Sequence, residues 1–359
     1  MNIPSNASLT RVARFPNLRA LAWSGDLLYA SRGYELLSAR IHEPSDNLAW
    51  QPVAAFRPPW RRQLSASNRL TARLFRDGFH ALAVLPSGGL VAAVAGAILF
   101  LHPNFLQPNG DNEFRVTHRI TRGTRPLHLT ATPGGSVYWG EYFDNSARDQ
   151  VHIYASTDGG ATWAVAYTFP QRAIRHVHNI VHDPWANCLW ILTGDYGGEC
   201  RILRANYDFS TVEPILQGNQ QARAVAFVPT PDALYFSSDT PLEQNYIYRL
   251  DRQGKLSQLA PITSSSIYGC RVADRVFFST MVEPSKFNPD RQVRIYANDQ
   301  IPAVWQPLLA WEKDLWPPRL FQYGNAYLPD GNNTTPYLAV TTAAVTPDDA
   351  TTSLYSIST

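Results

Sequence analysis

Residues 178–195 read HNIVHDPWANCLWILTGD, and their organisation decides the fold. One polar residue opens the stretch, and a short apolar run follows. Asp183-Pro184 marks a turn, and a second apolar run ends on Gly194-Asp195. Apolar runs of this length, bounded by turn residues, are strand–turn–strand signals. The arrangement recurs upstream in residues 19–31 (RALAWSGDLLYAS), 80–94 (HALAVLPSGGLVAAV) and 128–141 (HLTATPGGSVYWGE). Downstream it recurs in 223–239 (RAVAFVPTPDALYFSSD), 268–280 (YGCRVADRVFFST) and 323–331 (YGNAYLPDG). The seven openings are separated by 61, 48, 50, 45, 45 and 55 residues, a mean of about 51.

Each unit continues into a third strand, as at Ile153-Tyr154-Ala155, Ile247-Tyr248-Arg249 and Ile295-Tyr296-Ala297. Fourth strands follow, as in WQPVAAF from Trp50, WAVAYTF from Trp163 and WQPLLAW from Trp305. Four strands every 40–50 or so residues is the period of a β-propeller blade. The expected fold is therefore all-β, a single β-propeller domain over residues 1–359 with seven four-stranded blades, six being the alternative. The last unit stops at Leu354-Tyr355-Ser356-Ile357, one strand short. LTRVARF, beginning at Leu9, matches the missing strand, so the N-terminal strand is expected to close the last blade and remove two exposed sheet edges. The long first spacing marks an insertion at about 55–78. There SNRLTARLFRDG, from Ser67, predicts a short helix with Ser67 as its cap and Leu70, Leu74 and Phe75 on one face.

Composition agrees with this picture and excludes others. The chain of 359 residues is 45% apolar, 12% aromatic and only 17% charged, a poor match to a long helical bundle. Residues 81–101 carry no charge, but PSGG from Pro86 interrupts them, so two buried strands joined by a turn are expected in place of a membrane span. Met1–Arg14 lacks an apolar core of signal-peptide length, which makes a cytoplasmic location the default. A net charge of +2 gives no case for nucleic acid or an anionic membrane as partner. Of 31 basic residues only Lys255, Lys286 and Lys313 are lysines, leaving 28 arginines, the better residue for forked contacts to carboxylate or sulfate. Cys188, Cys200 and Cys270 supply no disulfide framework.

Residues 156–163, STDGGATW, match the Asp-box pattern S-x-D-x-G-x-T-W. The chain thereby resembles the bacterial-neuraminidase-repeat group of propellers, which includes the sialidases. Ser45-Asp46-Asn47 before Trp50, and Asn298-Asp299 before Trp305, are degenerate versions. The resemblance implies a structural turn between third and fourth strands, with the Asp accepting turn amides and the Trp packing between blades. The catalytic motifs of sialidases are not matched; Phe56-Arg57-Pro58-Pro59 only loosely resembles their Phe-Arg-x-Pro.

Aligning the units places Arg19, His80, His128, His178, Arg223, Tyr268 and Tyr323 at one equivalent position, at the channel end of each innermost strand. Arg32, Glu141, Asp195 and Asp239 fall at the end of the next strand. Nearby loops add Tyr142, Asn145, His176, Tyr196, Glu199, Glu243, Asn245, Glu283 and Gln322. His128, His178, Tyr268, Tyr323, Glu141, Asp195 and Asp239 are the candidate catalytic residues. Arg19, Arg32, His80, His176, Arg223, Tyr142, Tyr196 and Gln322 are the candidate substrate-binding residues. Such a set suits β-elimination on a uronic acid glycan: an arginine neutralises the carboxylate, a neutral His or a Tyr removes the C5 proton, and another group protonates the leaving oxygen. Glycoside hydrolysis by two of Glu141, Asp195 and Asp239 suits it equally. No cofactor is expected; a divalent metal on His176-x-His178 is a third and less favoured chemistry, since no second tight ligand pair exists. Arg57, Arg61, Arg62, Arg69, Arg73 and Arg76, with Trp60, would form a basic lip. The expected partner is an acidic oligo- or polysaccharide met by a monomer. A non-catalytic glycan- or protein-binding scaffold is the competing expectation.

Overall fold

The computed structural model describes residues 8–103, 112–298 and 304–358. The chain is a β-propeller of seven four-stranded blades. Blade 1 comprises Arg19–Gly25, Leu27–Arg32, Glu35–Arg40 and Gln51–Ala55; blade 2 comprises Ala81–Val84, Leu90–Val94, Ala97–Leu101 and Arg115–Arg119. Blade 3 comprises Thr130–Ala131, Val137–Gly140, Val151–Ser156 and Ala164–Phe169; blade 4 comprises His176–Asp183, Cys188–Gly194, Arg201–Ala205 and Val212–Gln217. Blade 5 comprises Ala224–Pro229, Ala233–Ser238, Asn245–Asp251 and Leu256–Ile262; blade 6 comprises Ser266–Val272, Arg275–Thr280, Gln292–Asn298 and Trp305–Lys313. Blade 7 is built from Asn325–Tyr327, Tyr337–Ala343, Thr351–Ser358 and, from the other end of the chain, Ser8–Pro16. Two short extra strands widen the sheets, Asp330–Asn333 lying parallel to Arg19–Gly25 and Val345–Thr346 pairing with Trp305–Lys313.

The chain divides into two compact units, Met1–Ala30 with Ser38–Trp50 and Ala226–Thr359, and Ser31–Leu37 with Gln51–Val225. In the first unit Ser8–Pro16 runs antiparallel to Thr351–Ser358, from Ser8 opposite Ser358 to Pro16 opposite Thr351. One register shift falls between Arg11 and Ala13. Leu9 and Ile357 pack against a core that includes Val340, Leu338 and Tyr355. Arg11 and Arg14 both reach Asp348, at 2.9 and 2.8 Å, and Thr352 donates to the main-chain oxygen of Leu18 at 2.6 Å. The strand foreseen from Leu9 onward thus closes the last blade.

In the second unit the uncharged run 81–101 is three buried strands, one more than expected, and its Pro86–Gly89 segment is the turn between the first two. Leu85 N and Gly88 N close that turn onto Gly89 and Leu85 carbonyls, both at 2.9 Å. Among the described residues no helix is long and apolar enough to cross a membrane. Among the described residues Cys188, Cys200 and Cys270 form no disulfide.

The insertion holds two helices where one was expected, Trp60–Ser67 and Arg69–Phe75. Asn68, not Ser67, caps the second: its side-chain oxygen accepts Leu70 N at 2.9 Å while Ser67 donates to Leu64 O. The face is also different. Leu70, Leu74 and Phe75 are exposed and Arg73 is the buried member. Tyr34 and Arg62 both hydrogen-bond the Asp77 carboxylate, at 2.9 and 3.0 Å, and so hold the base of the insertion.

The turn 156–163 joins the third and fourth strands of blade 3. Asp158 accepts Ser156 Oγ at 2.7 Å, Thr162 N at 2.9 Å and Thr162 Oγ1 at 2.6 Å, and Ser156 Oγ accepts Gly160 N at 2.7 Å. Gly160 has a φ of 102°, and a Cβ there would meet Val91 Cγ2 at 2.5 Å. Trp163 donates to Thr117 Oγ1 at 3.1 Å and packs edge-on to Trp139. The degenerate copies do other work: Asp46 accepts Arg14 N and Asn298 accepts Val276 N. Asp299 lies outside the described residues.

Burial works to raise the Asp158 carboxyl, and its hydrogen bonds from Thr162 and Ser156 outweigh that, leaving it below the ordinary Asp value. A depressed folded-state value means that its contribution is complete above the unfolded-state value and is lost as pH falls through the folded one. Asp158→Ala is therefore expected to cost about 1–2 kcal/mol at neutral pH. In urea unfolding the gap from the wild type should narrow in acid; a gap independent of pH would contradict this account.

Candidate functional site

Blade 4 begins with Arg175-His176-Val177-His178, and the second strand of its hairpin ends at Gly194-Asp195. In the register His176 faces Gly194 and Val177 faces Thr193, but Asn179 faces Leu192, so His178 is the extra residue of a β-bulge. A bulge bends its strand and re-aims a side chain. It allows the rings of His176 and His178 to converge, with centroids 5.0 Å apart.

Three ligand-type atoms meet there. His178 Nε2 lies 3.1 Å from His176 Nε2 and 3.2 Å from Asp195 Oδ1, and His176 Nε2 lies 3.4 Å from the same oxygen. Each ring is tethered through its other nitrogen. His176 Nδ1 is 3.0 Å from the main-chain oxygen of Phe143, and His178 Nδ1 is 3.0 Å from that of Ala224. A carbonyl can only accept, so both Nδ1 atoms carry hydrogen, and the two Nε2 atoms face each other and the carboxylate. All three side chains are buried, at 5%, 3% and 7% exposure for His176, His178 and Asp195.

Two arginines flank the carboxylate. Arg175 reaches Asp195 Oδ2 at 3.0 Å and Asp144 Oδ1 at 2.5 Å, while Arg223 reaches Asp195 Oδ1 at 3.2 Å. Burial works to raise the Asp195 carboxyl, but its contacts with His176 and His178 and the charge of Arg223 outweigh that and hold it well below the usual carboxylate range. Burial pushes the His178 imidazole down from its ordinary value, with Asp195 opposing and His176 and Arg223 adding to the effect. His178 is thus neutral at neutral pH.

The supports are local. Asn219 caps the one-turn segment Gln220–Ala222 by accepting Gln221 N and Ala222 N, which delivers Arg223, and Gln220 donates to Asp195 O at 2.9 Å. Asn145, fully enclosed, donates to Asp149 O and to Arg175 O at 2.9 and 3.0 Å, fixing the loop that carries Tyr142 to Asp144. The Tyr142 ring packs 4.3 Å from the His176 ring, and Tyr196, 49% exposed, lies under the Arg175 guanidinium. Space is tight behind the imidazoles. A Cβ on Gly194 would meet His178 Cε1 at 2.5 Å, and one on Gly140 would meet Val177 at 2.4 Å.

Of the residues singled out by sequence, the structure brings His178, Asp195, His176, Arg223, Tyr142 and Tyr196 together. Glu141 is engaged elsewhere: its carboxylate forms an ion pair with Arg122 and accepts His152 N at 2.8 Å. Glu199 pairs with Arg148 at 2.5 Å. His80 and His128 lie partly buried just ahead of the first strands of blades 2 and 3, and Arg32 is exposed at the end of Leu27–Arg32. In the other unit, the Arg19 guanidinium stacks 4.1 Å over Tyr327, whose ring meets Tyr268 at 5.0 Å. Also in that unit, Asn245 is fully buried and hydrogen-bonded to Thr240 and Asn288, and Asp239 is buried after Ala233–Ser238. Tyr323 and Gln322 lie between Pro318–Phe321 and Asn325–Tyr327, Glu243 precedes Asn245–Asp251, and Glu283 follows Arg275–Thr280. In the insertion, Arg57, Arg61, Arg69 and Arg76 are exposed, and Arg61 lies over the 65% exposed Trp60. Arg175, Asp144 and Gln220 were not anticipated. Arg175 was findable, since it sits in the same four-residue run as both histidines.

No known family model matches the chain, and neither does any curated protein sequence. Solved structures do resemble it. A chain of the mitotic checkpoint complex superposes with a TM-score of 0.58 at 11% identity, covering 99% of this chain and 96% of that one. The WD40 β-propeller domain of Doa1 gives 0.56 at 10% identity, covering 98% and 97%. Puromycin hydrolase, as its S511A mutant complexed with PGG, gives 0.53 at 11% identity over 93% of this chain and 54% of that one. At these identities the likeness is one of fold.

The crowding behind His178 is directly testable. Gly194→Ala is expected to force the imidazole aside and to lower stability by about 1–3 kcal/mol in denaturant unfolding. A neutral result would show that the ring has room to move.

Proposed function

We propose that the chain binds an acidic glycan at the His176–His178–Asp195 centre and cleaves it by β-elimination. The observation that carries this reading is the convergence of two guanidinium groups, two imidazoles and a phenol around one buried carboxylate. Arginine is the residue best shaped to hold a uronate carboxylate, and neutralising that group acidifies the adjacent C5–H. Arg175 and Arg223 take that role, with Asp195 and Asp144 fixing their orientation.

Elimination breaks the C5–H bond, places its electron pair in a C4=C5 double bond and expels the C4 oxygen, which takes up a proton. In this reading Tyr142, seated against the His176 ring, takes up the C5 proton as its phenolate, and the Tyr196 phenol at the solvent edge gives its proton to the leaving oxygen. Hydrolysis needs two carboxyl groups available as acid and as nucleophile or base. Glu141 is held by Arg122 and Asp195 by Arg175 and Arg223, which supports elimination as the better reading.

Incubation with uronate-containing oligosaccharides should generate the ultraviolet absorbance of an unsaturated uronate. Tyr142→Phe should lower kcat by about 10²- to 10⁴-fold with an unchanged melting temperature. Reducing sugar without new absorbance would mean hydrolysis, and glycan binding with neither product would mean a binding module.

A further inference from the structure

We propose that His176 Nε2, His178 Nε2 and Asp195 Oδ1 form a site for one divalent first-row transition-metal ion per chain, with Zn²⁺ as the simplest occupant. Both rings direct Nδ1 at main-chain carbonyls, which leaves each Nε2 as the atom free to ligate, 3.1 Å from its counterpart and 3.2 and 3.4 Å from a carboxylate oxygen. Three buried atoms of metal-ligand type thus converge, and one cation can meet all three.

The geometry suits a metal in particular. From the three separations, a point about 1.9 Å from every ligand atom lies in their plane, and an ion raised from it by slightly less than about 1 Å reaches the 2.0–2.2 Å typical of Zn–N and Zn–O bonds. Imidazole ligands of metal ions almost always donate their remaining N–H to a carbonyl or carboxylate, which fixes the tautomer and the ring plane. Both rings here meet that condition with separate carbonyls, Phe143 O and Ala224 O. Two imidazoles and one carboxylate leave coordination positions open, as catalytic metal sites do.

Charge limits what else binds. A divalent ion would sit close to the Arg175 and Arg223 guanidinium groups, with Asp195 and Asp144 as the compensating carboxylates. Its open positions would therefore favour an anionic ligand, a carboxylate or hydroxide. The site rests on three atoms of this chain and not on the glycan reading, so either can fail while the other stands.

The test is calorimetric titration of the untagged, EDTA-treated full chain with Zn²⁺, accompanied by Co²⁺ absorption spectroscopy. One equivalent of Zn²⁺ should bind, the melting temperature should rise by several degrees, and Co²⁺ should acquire the visible bands of a nitrogen- and oxygen-ligated ion. His176→Gln and Asp195→Asn should each weaken binding by at least about 100-fold, since loss even of the groups that hydrogen-bond a metal ligand typically costs about 10- to 100-fold. Glu199→Gln, which removes a carboxylate already paired with Arg148, should leave binding unchanged. Circular dichroism of each variant separates lost ligation from lost fold, and a misfolded His176→Gln is replaced by the wild type with the Co²⁺ spectrum as the deciding measurement. Folded wild-type chain that takes up neither ion overturns the proposal, leaving a proton shared between the two imidazoles as the occupant. Stoichiometric uptake that persists in both ligand variants overturns it equally, because the ion would then lie elsewhere.

Discussion

The pairing of Ser8–Pro16 with Thr351–Ser358 joins the two ends of the chain, and blade 7 does not have four strands without it. Its contacts lie more than 330 residues apart in sequence, yet the entropy of closing a loop grows only with the logarithm of its length. The ladder, the apolar seam of Leu9 and Ile357, and the shared Asp348 anchor of Arg11 and Arg14 offset that cost together. Closure also covers the edge that Thr351–Ser358 would otherwise present for pairing with another chain.

The candidate site depends on smaller constraints of the same kind. One extra residue in the first strand of blade 4 turns His178 toward His176, and two glycines leave room for the turn. Without the bulge, residues 176 and 178 would still share a face, since side chains alternate along a strand, but the register with Gly194 and Asp195 would slip. The convergence follows from that one irregularity, which brings two imidazole nitrogens and a carboxylate oxygen within 3.1–3.4 Å of one another.

The fold was legible because each blade repeats one pattern at a nearly constant interval, so seven weak signals reinforce one another. His176, His178, Asp195 and Arg223 were legible for a related reason: a polar residue at the end of an otherwise apolar strand has no place in a core. The alignment located strand starts but not a common register. Arg19 opens its strand, whereas His178 and Tyr268 lie third in theirs; His178 is itself the bulged residue, and the shift near Tyr268 falls before it, between Ser266 and Tyr268. Glu141 was legible as a carboxylate at the end of a strand but not as Arg122's partner, since Arg122 arrives from a loop that follows no period. The cap of the second helix was misplaced by one residue because Ser67 and Asn68 are both good caps, and only the turn of the preceding helix decides between them.

His176 and His178 share one strand, yet each is moored to a different neighbour, one to the loop after the second strand of blade 3 and the other to the first residue of blade 5. The gap between their Nε2 atoms is therefore a caliper whose two jaws are mounted on the backbone at Phe143 and at Ala224. Within this unit, a displacement of Phe143 or Ala224 moves the imidazole tied to it, and with it the 3.1 Å separation of the two Nε2 atoms. Packing in this unit is thus a tuning element of the site as well as its support.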